Sequence, residues 1–336
     1  MNAEPPGAEI RLARHAMATR FEIWLHGQRV DAMRAAAEEA FDGIVELDRL
    51  LSLYRPESDL SLINREACSR AVRVDPRVFK LLERAKTLSL GTRGAFDPSV
   101  APVLFQWGVI GGRWRIPGED ELREALSKVG MQSVELDSDE GSVRYARPGM
   151  WLDLGSIAKG YALECAAETL RNCGIESALI HGGTSSVCGL GRGPDGLPWS
   201  VAVRPHNGED SKEKQPLVWF RTVAGAHTAL SGPVPPPPKS FSSDEVAWPK
   251  VQLEDAAMSV TGIRGKCFEL EGKVFGHVID PRFGRPAQTA AMAIVKGHSA
   301  TDADALSTAL LVLGREGAGS ISSHFPGYEL WLGDWG

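Results

Sequence analysis

At 336 residues, 43% hydrophobic and 24% charged, the chain has an ordinary globular composition and enough length for one large domain or two modest ones. A net charge of −6 without a lysine- or arginine-rich run excludes a general polyanion binder, and so a nucleic-acid partner. The five cysteines, Cys68, Cys165, Cys173, Cys188 and Cys267, are odd in number and form no CxxC pair, which excludes a disulfide framework and a cysteine zinc site; no run of about 18 apolar residues is present to span a membrane.

Residues 1–12 read as an N-terminal tail. Glu4, Glu9 and two prolines stand where a signal peptide would carry an apolar run, so the chain is expected in the cytoplasm, and cell-envelope export would require a leader. Residues 20–26 alternate apolar and polar side chains up to Gly27, which predicts a half-buried strand. A helix follows, with Asp31 as its expected cap and Met33, Ala36, Ala37, Ala40, Phe41, Ile44 and Leu47 at helical spacing through Leu51. A polar turn around Pro56 leads into a short helix, and residues 75–89 predict a second amphipathic one. The segment 94–103 holds an aspartate and two prolines, Pro98 and Pro102, and is expected as a shaped loop. Another helix is expected over 119–129, and a hairpin over 133–144 with its turn at Asp139-Glu140-Gly141.

Trp151-Leu152-Asp153-Leu154 then reads as a strand running into Gly155-Ser156-Ile157-Ala158-Lys159-Gly160, where a helix begins and continues to Cys173. A buried strand over 177–181 precedes Gly182-Gly183-Thr184-Ser185-Ser186, a turn whose glycines let the backbone come close to a neighbour. Residues 205–248 are expected as a surface insertion with a polyproline-like run at 233–238 and one strand within 220–229. Strands are then expected over 251–260, over 273–280 up to Pro281, and over 291–295. The chain closes on Ser299-Ala300-Thr301-Asp302-Ala303-Asp304-Ala305-Leu306-Ser307-Thr308, an apolar helix capped by Thr301 or Ser299 and stopped at Gly314; residues 317–336 form a C-terminal segment.

Strands, helices and hairpins in this order lack a regular βαβ rhythm and predict an α+β fold, and neither a Rossmann fingerprint nor a P-loop is present. Asp304 and Thr308, four apart, share one face of the last helix. A carboxylate and a hydroxyl there, with a nearby carbonyl, would suit a hard cation such as Mg²⁺, which completes its shell with water and phosphate oxygens. A helix dipole also favours an acid in the first turn, and threonine bonds back to its own helix, so this spacing alone leaves both readings open. Residues 153–160, 181–186 and 277–284 each bring amides, a lysine or an imidazole to a strand end, where an anion could sit.

Six segments in this order resemble the ApbE-type flavin transferases, the FAD:protein FMN transferases. They are Met17-Ala18-Thr19-Arg20-Phe21; Leu51-Ser52-Leu53-Tyr54 with residues 58–64; Gly94-Ala95-Phe96-Asp97-Pro98; Asp153-Leu154-Gly155-Ser156-Ile157-Ala158-Lys159-Gly160; His277-Val278-Ile279-Asp280-Pro281-Arg282; and Ala303-Asp304-Ala305-Leu306-Ser307-Thr308. The resemblance implies one domain over residues 13–316, with mixed, largely antiparallel sheets, packed helices and an FAD cleft. It implies a Mg²⁺-dependent enzyme that moves FMN from FAD to a Ser or Thr hydroxyl of an acceptor flavoprotein and releases AMP. On this resemblance the metal is held by Asp304, Thr308 and the carbonyl of Ala158. His277 takes the acceptor's proton, with Asp280 as the other candidate, and Lys159 neutralises phosphate charge. Met17, Thr19, Tyr54, Asn64, Asp97 and Thr261 fall in segments that line the FAD cleft.

The chain departs from the family pattern at His181-Gly182-Gly183-Thr184-Ser185, which lacks the usual acid, at Thr261-Gly262-Ile263-Arg264, and at Phe283-Gly284. These departures touch the phosphate and acceptor surroundings and leave open two alternatives, a Mg²⁺-dependent FAD pyrophosphatase and a non-catalytic FAD-binding protein.

Overall fold

The computed structural model describes residues 7–203, 217–222, 250–263, 267–270 and 273–335. An eight-stranded sheet forms the frame, in the order Ala8–Ala16, Thr19–Gly27, Ala178–Gly182, Ser186–Leu190, Ala256–Gly262, Met292–Gly297, Glu329–Trp335, Leu217–Thr222. Every neighbouring pair in it is antiparallel. An antiparallel sheet can keep one face for helices and offer the other to a thinner cover, and that is the arrangement here.

Helix α1 (Val30–Leu51) buries Met33, Ala36, Ala37, Ala40, Phe41, Ile44 and Leu47, the stripe expected from its spacing. Arg29 rather than Asp31 occupies its cap position; Asp31 lies one residue inside, where its charge still opposes the helix dipole's positive end. The short α2 (Asp59–Glu66) is capped by Ser58, and α3 (Pro76–Gly91) by Asp75. Segment 94–103 is more regular than expected. Asp97 caps a single 3₁₀ turn at Pro98–Val100, which feeds α4 (Ala101–Trp107), because prolines in a first turn cost a helix nothing it would otherwise use. Helix α5 (Glu119–Leu126) follows, and strands Val134–Asp137 and Ser142–Tyr145 form the expected hairpin.

Residues 151–154 form no strand. Leu152 is held instead by the Asn64 side chain, and the Asp153 amide donates to the Pro98 carbonyl at 2.8 Å. Helix α6 (Ala158–Asn172) begins three residues after Gly155, and α7 (Ala300–His324) takes its cap from Ser299. Gly314 breaks α7 with φ 63° and ψ −159°, and the helix then resumes. Thr289 donates its hydroxyl to the Leu311 carbonyl beside the break.

Helices α1, α6 and α7 cover one face of the sheet and share a core with Phe21, Ile23, Ala178, Ile180, Ala293 and Val295. The other face carries a ribbon of strands Trp199–Ala202 and Lys250–Leu253 over Val187, Met258, Met292 and Ile294. The stretch expected as a tail yields strand Ala8–Ala16, an edge strand whose alternation is half-buried until Ala16. Residues 317–336, expected as a separate segment, supply the end of α7 and strand Glu329–Trp335, which pairs with Met292–Gly297 inside the sheet. The strand expected within 220–229 is Leu217–Thr222; the remaining residues of 205–248, the polyproline-like run among them, lie outside the described residues. The strand expected over 273–280 is divided into Lys273–Gly276 and Ile279–Asp280, with His277 at the division. Among the described residues, no helix is long and apolar enough to cross a membrane.

Candidate active site

Helix α7 is buried on almost every side from Ala300 to Val312, so any polar group it carries there must be met by a partner. The two acids of that buried stretch, Asp302 and Asp304, are two residues apart and face different surroundings. Asp302 receives a two-pronged bond from Arg84 and the Tyr328 hydroxyl at 2.6 Å; burial and that carboxylate push the Tyr328 pKa up and keep it a donor. Asp304 points to the strands and to the start of α6. Its Oδ2 accepts the Gly160 amide at 3.0 Å, and its Oδ1 accepts the hydroxyls of Ser259 at 2.8 Å and Ser186 at 3.2 Å.

Gly160 is the third residue of α6, whose cap position offers no side-chain oxygen, so Asp304 satisfies one of the amides that every helix start leaves open. The helix dipole there favours negative charge. Glycine is required at this position: a Cβ would run into the Ala300 carbonyl and stand 2.7 Å from the Asp304 Cβ. Lys159, next to it, sets its ammonium 3.9 Å from Asp304 Oδ2 and donates to the Gly155 carbonyl at 3.2 Å.

One turn further along α7, the Thr308 hydroxyl lies 3.4 Å from the Asp304 carbonyl and 3.5 Å from the Thr261 hydroxyl. Thr261 also meets Ser307 at 2.6 Å. Ser259 and Thr261 alternate with Val260 along one strand, so both project toward α7. The side chains that could ligate a metal here all present oxygen, one carboxylate and five hydroxyls, beside the first turn of α6, which Ala158 opens, and the Lys159 ammonium. That chemistry fits a hard divalent cation of the Mg²⁺ type, which takes one or two protein carboxylates and completes its shell elsewhere. Among the described residues, no three His, Cys, Asp or Glu side chains gather into a softer or more charged metal site.

Thus Lys159, Thr261, Asp304 and Thr308 converge, with Ala158 at the helix start beside them. His277 reaches the same end of the sheet by the backbone. Ile263 follows Thr261 by two residues, and Gly276 is pressed so closely on Ile263 that a Cβ would strike its side chain. His277 comes next and is half-buried. Asp280, the other candidate base, is committed elsewhere: Arg282 grips both its oxygens at 2.9 and 2.7 Å, and the pair closes the turn after Pro281.

Met17 and Ala18 form the two-residue turn of the first hairpin, at φ 48° and 55°, a left-handed pair usually left to Asn-Gly. Thr19 follows and packs against Gly183, whose amide donates to the Arg20 carbonyl at 2.9 Å. The 181–185 turn is therefore seated on this hairpin tip. His181 bridges from the Gly183 carbonyl at 3.2 Å to the buried Glu22 at 3.5 Å. Burial opposes the charge on Glu22, yet bonds from Arg11 and Trp24 and the nearby His181 and Arg11 charges outweigh it and hold the carboxyl below its ordinary range.

Two expected cofactor contacts have their polar atoms engaged within the protein. Asn64 donates to the Leu152 carbonyl at 2.9 Å and accepts from the Leu152 amide at 2.7 Å and the Tyr145 hydroxyl at 2.8 Å, so it anchors the approach to the 153–160 loop. Asp97 accepts from the Ser89 and Ser99 hydroxyls and from the Ser99 and Met131 amides. It borders a cleft of about 330 Å³ shared with Arg93, Gly130, Pro281 and Arg282. Tyr54 is 78% exposed in the turn after α1. Ser186, Ser259 and Ser307 were missing from the expected set; the signal for Ser259 was a lone hydroxyl two residues before Thr261 in an otherwise apolar strand.

The fold is an antiparallel α+β sheet whose end gathers a buried carboxylate, hydroxyls and a lysine at a helix start. The ApbE family model matches residues 17–331, and the chain belongs to that family. Among its relatives, the FAD:protein FMN transferase of Treponema pallidum (strain Nichols) is 30% identical over 310 residues, covering 88% of this chain and 76% of the relative. That of Vibrio cholerae (serotype O1, strain ATCC 39541) is 27% identical over 319 residues, covering 93% and 84%. The crystal structure of the ApbE protein of Thermotoga maritima superposes with a TM-score of 0.77 at 25% identity over 97% of this chain and 94% of its own. The apo flavinyl transferase ApbE of Pseudomonas stutzeri gives 0.75 at 26% identity over 94% and 89%.

Proposed function

We propose that this chain is a transferase enzyme that moves FMN from FAD to a Ser or Thr hydroxyl of an acceptor flavoprotein in a Mg²⁺-dependent reaction, releasing AMP. The observation that carries the reading is the Asp304 cluster: a buried carboxylate bonded to a helix-start amide, with a lysine beside it and Thr308 one turn away, in a chain of the ApbE family. In this reading Asp304, Thr308 and the Ala158 carbonyl hold the metal. When bound, Mg²⁺ would offset pyrophosphate charge and ease departure of AMP.

The chain's own groups do the rest. Lys159, anchored on Gly155, keeps a positive charge at the cluster's mouth and draws the phosphates to it. His277 accepts the proton of the acceptor hydroxyl as that oxygen attacks the FMN phosphorus, the general-base task for which an imidazole nitrogen offers its lone pair. Asp280, bound by Arg282, shapes the turn that follows His277. The remaining cleft residues, Met17, Thr19, Tyr54, Asp97 and Thr261, border FAD, and Asn64 holds the loop in place.

The test is to incubate purified protein with FAD, with and without Mg²⁺ and a flavoprotein bearing an FMN attachment site, and to follow AMP and the acceptor's mass. AMP release with a mass gain of one FMN, only when acceptor and Mg²⁺ are both present, is expected. AMP release without an acceptor would mean hydrolysis instead, and bound FAD without AMP would mean a binding protein.

A further inference from the structure

His277 stands between two short strands rather than inside one, so something other than a sheet ladder must fix it. The segments on both of its sides dock on a small core separate from the main one. That core is made of Val103, Leu104 and Trp107 from α4, Leu122 and Ala125 from α5, and Ile279. Trp107 is 4% exposed and touches the chain both before and after His277. Its ring lies 5.8 Å from that of Phe275, two residues before the histidine, and Phe275 stacks on Phe268 across the hairpin at 5.1 Å. Its indole N–H donates to the Gly284 carbonyl at 2.7 Å, beyond the turn that follows the histidine.

The rest of the mount agrees with this. A Cβ built on Gly284 would stand 3.4 Å from Leu122 and Leu126, so the turn rests on α5. Arg285 pairs with Glu119 at 2.5 Å, and strands Ile279–Asp280 and Arg285–Pro286 pair to close the loop. One buried tryptophan therefore spans the base of the whole segment 275–284. A buried N–H that loses its acceptor, or a ring that loses its neighbour, would let the segment shift, and small misplacements of a reacting group are costly to rate.

We infer that Trp107 is a positioning residue for the transfer reaction, setting the His277 side chain against the acceptor hydroxyl by holding Phe275 and the Gly284 carbonyl at once. The inference rests on the reading of His277 as the base. The experiment is a double-mutant cycle on the full chain: Trp107→Phe, Phe275→Leu, His277→Ala, and each of the first two combined with the third. AMP release from FAD and Mg²⁺ with acceptor is measured as kcat and KM, beside the melting temperature.

Trp107→Phe keeps a ring against Phe275 and loses the N–H, and is expected to lower kcat about tenfold while KM for FAD changes less than about twofold. Phe275→Leu weakens the same mount from the other side and is expected to act likewise. In the His277→Ala background neither is expected to lower the residual rate further. Equal fold-losses in both backgrounds, or a lower melting temperature with kcat intact, would overturn the positioning role while leaving the base reading standing. Full kcat in His277→Ala would overturn both, and is recognised by that single variant alone.

Discussion

Asp304 carries two burdens at once, and they can be separated by a one-atom change. Its oxygens receive the Gly160 amide and two serine hydroxyls, so Asp304→Ala would take the acceptor from the buried Gly160 amide at about 1–3 kcal/mol and turn the hydroxyls of Ser186 and Ser259 back on each other and on the Ser185 carbonyl. Asp304→Asn keeps the shape and an acceptor oxygen but removes the charge that a cation needs. It is expected to fold and to lower Mg²⁺-dependent turnover by about 100-fold or more, read from AMP release. Glu22 gives a second residue-scale expectation. Its folded pKa lies below the ordinary 4.5, so the stability it lends is complete above that value and is lost as pH falls through the folded one. Melting curves between about pH 5 and 3 should fall less steeply for Glu22→Gln than for the natural chain. The acid–hydroxyl pair at Asp304 and Thr308 was legible because four-residue spacing on a helix is a geometric fact. The serines that complete the cluster come from strands 45 and 118 positions away, and nothing local to Asp304 announces them.

Among the elements, the contact of α6 on α7 is the tightest constraint on the site. Gly160→Ala would force the two helices apart where the Asp304 bond is made, and is expected to cost about 1–3 kcal/mol in a denaturant melt and to lower Mg²⁺ affinity with it. The first hairpin stores strain of another kind. Met17 and Ala18 both sit at positive φ, and Ala18→Gly should raise stability by about 1 kcal/mol in the same assay. The amphipathic helices α1 and α3 and the strand Thr19–Gly27 were readable from period, and Ala178–Gly182 as a short apolar run. Three elements defeated that reading for physical reasons. Strand Ala8–Ala16 lies at an edge and only half-buries alternate residues; α4 follows a proline turn and carries Pro102 in its own first turn, which looks like loop; and Gly314 breaks α7 without ending it.

For the molecule as a whole, the antiparallel sheet explains why residues far apart in sequence meet. The hairpin tip at Met17, the 181–185 turn, the hydroxyl strand at Ser259 and Thr261 and the start of α7 are joined through neighbouring strands and their packing. The same compactness protects its thiols. Burial pushes Cys165 up to about 11 and Cys188 up to about 12, while Cys68, Cys173 and Cys267 are exposed. Alkylation of the native protein at pH 8, read by mass spectrometry, should label the exposed three first, the half-buried Cys165 more slowly, and the buried Cys188 only once the protein is unfolded. Fold class was legible because strands and hairpins alternate without a βαβ rhythm; the closing of the sheet by Glu329–Trp335 and Leu217–Thr222 was not, since non-local pairing leaves no local trace.

The central claim is that Asp304 holds the metal on which transfer depends. Isothermal titration of Mg²⁺ into the FAD-loaded natural chain and its Asp304→Asn variant, paired with AMP release from matched samples supplied with the acceptor flavoprotein, tests it most directly. Saturable binding and turnover in the natural chain, both lost in a folded Asp304→Asn, are predicted; equal Mg²⁺ binding and equal turnover in the two proteins would contradict the account.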